Sequence, residues 1–485
     1  MPTNACHMDR AHPIDPLAET ATACAERLQA AESVLLASHI DADGLTSGAI
    51  AGTALERADI PFETVFFTQL DAAELESVAA TDHETVLFTD FGSGQLDLIV
   101  EHETAGEFTP IVADHHQPAD ANTEYHLNPL LVGINGASEL SGAGASYVLA
   151  RALANTHDSE TDNRDLAGLA VVGAVGDMQA GVDGLRGANT QILQEGLDAG
   201  VLAESIDLTL YGKQTRPLPK LLEYASDAQI PGISNNAAGT LEFLSGLDLE
   251  LKRDGEWRCW VDLSADERQT LCSALVKRAV TSGVPADRID ELVGTSYQLT
   301  NEQPGTELRD VSEFSTLLNA TARYERADVG LAVCLGDREA ALVCARQLLR
   351  NHRQNLSAGL QWVKTEGVTT EKHVQWFDAG TEIRETIVGI IAGMAVGAPG
   401  VRRDLPIIAF AKKSDTEIKV SGRANHALTR NGVDLSVVMQ AASRAVGGDG
   451  GGHDVAAGAT IPVGTQQSFI EHADEIIGTQ LGSVD

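Results

Sequence analysis

Short apolar runs alternate with helix-spaced stretches along the N-terminal part of the chain. Residues 17–31 place Leu17, Ala21, Ala25 and Leu28 at helical spacing, which predicts a helix. Val34-Leu35-Leu36-Ala37 is a continuous apolar run ending at His39, and it predicts a buried strand. Small and apolar residues over 44–57 predict the helix after it. The alternation repeats with a strand over 62–67, a helix over 71–80, and a strand over 85–89 ending at Asp90. A helix near 94–102 and a strand over 109–113 ending at Asp114 follow. Unbroken apolar strands separated by helices imply a parallel sheet covered on both faces. Such sheets hold ligands beyond the C-terminal ends of their strands. Polar or charged residues stand just there after three of these strands.

Farther along, 142–155 and 165–176 read as helices. Residues 200–310 lose periodicity, contain Thr215-Arg216-Pro217-Leu218-Pro219, and read as an inserted helical region. A strong helix is predicted over 337–363, strands and helices resume over about 372–463, and 467–480 reads as a terminal helix. The expected fold class is α/β. A helical segment spans 1–32, a parallel-sheet domain 33–200, a helical insert with a connecting helix 201–371, and a second α/β domain with a terminal helix 372–485. A chain of 485 residues is long enough for several cores.

Composition narrows the setting. No apolar run approaches the ~18 residues of a membrane span. The N-terminus lacks the charged-then-apolar pattern of a secretory signal, so the expected location is cytoplasmic, with no membrane partner. Cysteines at 6, 24, 259, 272, 334 and 344 form no CxxC pair, which fits reduced thiols rather than a structural zinc site. Net charge is −36, and only nine lysines occur, the first being Lys213. The acids are dispersed, which implies an acidic folded surface rather than a tail. With few aromatics, this balance resembles a protein of a salt-accumulating halophile. At molar salt the Debye length is about 3 Å, so the acid excess does not exclude a nucleic-acid substrate.

Four clusters carry candidate chemistry. In His39-Ile40-Asp41-Ala42-Asp43-Gly44, three ligand-type residues stand at i, i+2 and i+4, and an extended chain points them one way. Asp90 follows an apolar strand and precedes Phe91-Gly92-Ser93-Gly94. Asp114-His115-His116 follows another, and Asp177 ends Val171-Val172-Gly173-Ala174-Val175-Gly176. Imidazoles mixed with several carboxylates suit divalent ions such as manganese. Three histidines and five aspartates exceed the needs of one ion and suit two. Ser141-Gly142-Ala143-Gly144, opening a helix, offers backbone N–H groups to a phosphate.

The order HxDxDG, Asp, DHH, Asp resembles the DHH phosphoesterase superfamily over about 33–185. Gly450-Gly451-Gly452-His453 and Ser421-Gly422-Arg423 look like the glycine-rich loop and arginine motif of a DHHA1 domain over about 375–463. The 337–362 stretch, Ser312-Glu313-Phe314 and Leu317-Leu318-Asn319-Ala320 resemble archaeal RecJ-like nucleases. The resemblance implies one ion held by His39, Asp41 and Asp90, and a second by Asp43, Asp90, His115 and Asp177, with Asp90 bridging. Manganese is the expected metal, with magnesium as the alternative. His116 is expected to face the scissile phosphate, and Asp114 to orient a histidine. Arg423, Gly450, Gly451, Gly452 and His453 are expected to contact substrate phosphate. A cluster of Arg402, Arg403, Lys412, Lys413, Lys419, Arg423 and Arg430 supports this modestly. The implied activity is exonucleolytic cleavage of single-stranded DNA or RNA. A phosphodiesterase or phosphatase acting on short oligonucleotides or nucleoside bisphosphates is the alternative, as is a replisome factor binding a GINS-type partner.

Overall fold

The computed structural model describes residues 12–156, 162–225 and 229–482; Cys6 lies outside them. The chain divides into two compact units, Met1–Arg346 and Gln347–Asp485.

The first unit opens with α1 (Ala18–Gln29) and an all-parallel sheet of β1 (Val34–His39), β2 (Phe62–Phe67), β3 (Thr85–Thr89), β4 (Thr109–Ala113) and β5 (His126–Leu127). Helices α2 (Ala42–Arg57), α3 (Ala72–Ala79) and α4 (Leu96–Ala105) lie between the strands, and α5 (Gly142–Thr156), α6 (Ala167–Gly176) and α7 (Ala188–Asp198) follow. Leu36, Leu87 and Ile111 pack with residues of α1, α2 and α5, whereas Leu35, Ala37, Phe88 and Val112 pack with residues of α3 and α4. Both faces are thus buried, which is why the strand sequences do not alternate. Side chains of Asp41 and Asp71 cap the amino ends of α2 and α3, and Gly106 at φ +75° ends α4. The strand order is β2-β1-β3-β4-β5. It reverses between β1 and β3, where connections diverge and leave a crevice at the strand ends.

After α7, β6 (Leu202–Leu208) pairs antiparallel with β9 (Val293–Leu299). Between them lie α8 (Leu218–Glu223), α9 (Ala237–Ser245), the hairpin β7 (Lys252–Arg253) and β8 (Glu256–Trp257), α10 (Ala265–Thr281) and α11 (Ala286–Asp290). Leu218, Leu222, Trp260, Leu271 and Leu275 form this insert's own core. The insert is mainly helical, as its sequence suggests, but it rests on a two-stranded neck. The neck is invisible to an apolar-run reading because the middle of β6, Glu204 to Ile206, is exposed. Helices α12 (Val311–Ala322) and α13 (Ala327–Cys334) return to pack on α2, and α12 also packs on α6. The unit boundary falls within α14 (Ala340–Glu366).

The second unit is a mixed six-stranded sheet in the order β10-β11-β12-β13-β15-β14. Its elements are β10 (Thr369–Thr370), β11 (Gln375–Asp378), α15 (Glu385–Ala395), β12 (Ile407–Lys412), β13 (Glu417–Arg423), α16 (His426–Arg430), α17 (Leu435–Ala445), β14 (Asp449–Gly452), β15 (Ala456–Pro462) and α18 (Gln466–Gly482). Only β11 and β12 pair in parallel. Ile407 and Ala409 pack with α15; Ile408 and Phe410 pack with α17 and α18. The glycine-rich loop expected at Gly450, Gly451 and Gly452 is instead part of β14, an edge strand paired with β15. A Cβ on Gly450 would lie 2.6 Å from that of Ala459, so the close pairing of these strands excludes a side chain there. Among the described residues no helix is long and apolar enough to cross a membrane, and no disulfide forms.

Candidate metal centre

β1 and β3, the two strands at the order reversal, deliver the first side chains. His39 ends β1, and its Nε2 lies 3.2 Å from the Thr68 carbonyl. That leaves Nδ1 facing inward, 3.3 Å from Asp41 Oδ1 and 3.5 Å from Asp90 Oδ2. Asp90 is buried just past β3 with φ +62°, a conformation that turns its carboxylate out of the strand direction at the expense of backbone strain. Its other oxygen, Oδ1, is 3.3 Å from His115 Nε2 and has no hydrogen-bond partner. Asp43, in the first turn of α2, is buried 3.7 Å from the same Nε2. Asp177 follows α6 with Oδ2 3.9 Å from His115 Nδ1.

Two tight groups result: His39 with Asp41 and Asp90, and Asp43 with His115 and Asp177. Asp90 reaches both, through one oxygen to each histidine. Asp114 and His116 stand with Asp90 and His115 in a third, overlapping group. The oxygens of Asp114, however, are already engaged. They accept from the backbone N–H of Ser93 (2.9 Å), His115 (2.7 Å) and His116 (3.3 Å), and meet His116 Nδ1 at 2.8 Å. The histidine that Asp114 positions is therefore His116. The ring of His116 is 55 % exposed, and among the described residues its Nε2 meets no partner.

Glycines make the crowding possible. A Cβ on Gly142 would fall 2.3 Å from Asp90 Oδ1, and one on Gly173 would fall 2.4 Å from Asp43 Oδ1. The N–H groups opening α5 do not wait for a phosphate. Those of Gly142 and Ala143 donate to Asp43 at 2.7 and 3.0 Å. The anion held by this helix end is a carboxylate of the protein itself.

The electrostatics are those of crowded, buried carboxylates facing imidazoles. Burial, then repulsion from Asp90 and Asp177, pushes Asp43 well above the usual carboxylate range. Burial also raises Asp177. Burial opposes charge on His39 and His115, yet the facing carboxylates overcome it and raise both to about 11. Burial opposes charge on Asp90, yet the facing rings of His115 and His39 outweigh it and hold the carboxylate well below its usual range. Asp114 falls to about 2 despite complete burial because His116 holds its charge. Asp114 in turn raises His116. A divalent ion held by these groups would take over the counter-charge role that the raised imidazoles fill, and its binding would release their protons. The buried, unpartnered Asp90 Oδ1 and the mixed carboxylate–imidazole donors fit hard or borderline divalent ions.

Several supporting residues escaped the sequence reading. Buried Gln179 donates Nε2 to the Gly136 carbonyl at 2.8 Å and to Asp177 Oδ2 at 2.9 Å, and accepts from Asn189. The same Gly136 carbonyl lies 2.7 Å from His115 Nδ1, fixing the ring so that Nε2 faces Asp90 and Asp43. Asn128 donates to the His116 carbonyl and to Ser93 Oγ, both at 2.9 Å. A lone Gln and a backbone carbonyl carry no motif, so nothing in the sequence marks them. Gln179→Leu should weaken manganese binding about 10–100-fold in a calorimetric titration with the fold retained; unchanged affinity would show that this network does not support the site.

In the second unit, Arg423 ends β13 and donates Nη1 to its neighbour's carbonyl, that of Gly422, at 2.7 Å. Gly389 and Gly393 on α15 leave room for its side chain; a Cβ on Gly389 would lie 2.7 Å from Nη2. Lys419 shares this face, near Gly458, and burial followed by Lys413 lowers its pKa. Gly452 pairs with Ala457, and the His453 N–H donates to the Ala456 carbonyl, which brings them to the Arg423 end of β13. His453 is exposed. The wider basic cluster does not act as one surface: Arg402 pairs with Asp404, Lys412 with Asp415, and Lys413 with Glu417.

Residues 210–293 match the DHH-CID domain and residues 373–479 the DHHA1 domain. The chain therefore carries matches to two domains, DHH-CID and DHHA1, and its fold is RecJ-like. It is 29 % identical over 451 residues to the uncharacterized protein MJ0831 of Methanocaldococcus jannaschii, covering 91 % of this chain and 93 % of that one. RecJ of Thermus thermophilus in complex with Mn2+ is similar in fold, with TM-score 0.60 and 17 % identity. That likeness covers 97 % of this chain but spans only 56 % of RecJ. CDC45 from Entamoeba histolytica is also similar, with TM-score 0.64, 11 % identity, and 96 % and 99 % of the two chains covered.

Proposed function

We propose that this protein is a metal-dependent exonuclease acting on single-stranded DNA or RNA. The observation that carries the reading is the paired His/Asp clusters joined through Asp90 at the order reversal of a parallel sheet. His39, Asp41 and Asp90 would hold one divalent ion, and Asp43, Asp90, His115 and Asp177 the second; manganese or magnesium suits both sets. Two such ions, when bound, supply an acidified water and neutralise charge on a phosphoryl group. His116, whose charged form Asp114 favours and whose ring is half-exposed, would donate from Nε2 to the substrate phosphate. Asp114 fixes that ring's orientation. Arg423, Gly450, Gly451, Gly452 and His453 would contact the strand's backbone. The fold likeness to a replication protein of the CDC45 type supports a GINS-type partner as a further expectation.

Met178 favours a substrate bearing bases. It directly follows Asp177, adopts φ +60°, and is 89 % exposed, while its neighbour Gln179 is locked in the interior. A non-glycine residue in this conformation stores about 1–3 kcal/mol of strain. The strain holds an unbranched apolar side chain at the rim of a polar centre, where it can cover a base face. With manganese in molar potassium chloride, end-labelled single strands tens of nucleotides long should be shortened progressively. Cleavage confined to dinucleotides or bisphosphates would favour the small-substrate activity, and no cleavage of any phosphodiester would defeat the reading. Wild type should cut a strand with an abasic terminal nucleotide several-fold more slowly than an intact one, and Met178→Ser should erase the difference. A difference preserved in the variant would remove Met178 from substrate contact.

A further inference from the structure

We infer that the neck of the DHH-CID insert contains a second anion site, built for a phosphoryl group and separate from the metal centre. A cavity of about 120 Å³ opens where β6 and β9 meet the start of α10. By volume it holds about four waters. Its lining gathers Lys213, Arg268 and Arg309 with Gln214, Gln298 and Trp260, and with one acid, Asp207, which Lys213 faces. Three cations around one small cavity are conspicuous in a chain of net charge −36.

The hydrogen bonds of these residues show which groups remain available. Gln214 is 4 % exposed, and its Oε1 accepts from the Gly305 N–H at 2.9 Å. That bond fixes the amide orientation and leaves Nε2 as a donor with no partner, next to a cavity. Gln298 is set in the same way: its Oε1 accepts from Arg309 Nε at 3.3 Å, so its Nε2 is also unpartnered. Arg268 donates Nε and Nη2 to the carbonyls of Trp260 and Val261, leaving Nη1. Arg309 donates Nη1 to the carbonyls of Leu299, Thr300 and Glu302, leaving Nη2. Four residues that line the cavity thus each keep a donor with no partner among the described residues, two amide nitrogens and two guanidinium ends.

Charge points the same way. Buried Lys213 donates to Ser296 Oγ at 2.7 Å and stands 3.4 and 3.5 Å from Asp207 and Asp310. Lys213, Arg268 and Arg309 exceed Asp207 and Asp310 by one positive charge, and the neighbouring Glu313 carboxyl is pushed up to about 7 by burial. Two bonds fasten the cluster to α12: the Gln214 N–H and the Thr215 hydroxyl both donate to Glu313, at 2.8 and 2.6 Å. An oxyanion with several acceptor oxygens matches the donors and balances the charge. The group is either free phosphate or the phosphate end of a nucleotide.

The test uses full-length protein stripped of metal, in molar potassium chloride, with inorganic phosphate and 5′-AMP added separately. Either ligand should raise the melting temperature by about 2 °C or more at saturation. A shift from phosphate alone assigns the free anion, and one from AMP alone assigns a nucleotide end. Gln298→Met and Arg268→Met, each verified as folded by circular dichroism, should abolish the shift; Gln298→Met alters only one partly buried amide and serves if Arg268→Met does not fold. A shift that survives in the folded variants, or no shift in wild type with either ligand, overturns the site.

Discussion

Asp90→Asn should lower manganese-dependent phosphodiester hydrolysis by about a thousandfold or more, equivalent to about 4 kcal/mol of lost stabilisation. Among the described residues, no other side chain reaches both His39 and His115, one with each oxygen. Asparagine keeps the shape but replaces one oxygen with an amino group that faces cations. Manganese stoichiometry, read by titration or electron paramagnetic resonance, should fall from two ions to one or none. The metal-free variant should fold, because removing one of several crowded buried carboxylates relieves the repulsion on Asp43 and Asp177. A variant that cleaves at the wild-type rate would sink the ligand assignment, whatever the substrate proves to be.

Gly142→Ala should be nearly as damaging, against the ordinary sign of the change. Replacing glycine by alanine in a helix normally stabilises by up to about 1 kcal/mol. Here the new methyl would lie 2.3 Å from Asp90 Oδ1 and 2.7 Å from its Cβ. The backbone cannot retreat freely, because the Gly142 N–H is bonded to Asp43. Stability should fall by about 1–3 kcal/mol through overpacking. Displacement of the carboxylate by about 1 Å should reduce turnover about a hundredfold. Thermal melting and a manganese titration read the two effects separately. An alanine variant that melts higher and keeps full activity would show that the cradle is loose.

The parallel-sheet half of the fold was legible because β1, β3 and β4 are buried on both faces and leave unbroken apolar runs. The six proposed ligands came from the motif order and the resemblance it carries; His39, Asp90 and His115 stand at or just past strand ends, whereas Asp43 lies on α2 and Asp177 follows α6. Three features were not legible, each for a different reason. β6 is a half-exposed strand whose polar sequence lacks a strand pattern. Gly450 to Gly452 look like a loop by composition, but they form β14, whose tight pairing with β15 leaves no room for a Cβ at Gly450 or Gly452. Ser141-Gly142-Ala143-Gly144 has the look of a phosphate-binding turn, yet its donors are claimed by Asp43, a contact 99 residues away in sequence for Gly142.

Another long-range bond bears on how the protein comes into being. The N–H of Ala42, at the head of the helix carrying Asp43, donates to Asn319 Oδ1 at 3.1 Å. The ligand-bearing loop after β1 is therefore braced by a residue that lies beyond the whole insert. A ribosome must deliver the DHH-CID segment and most of α12 before that brace exists. Translation thus sets a delay between folding of the sheet and completion of the metal pocket, and nascent chains halted before Asn319 should retain manganese less well than those released after it.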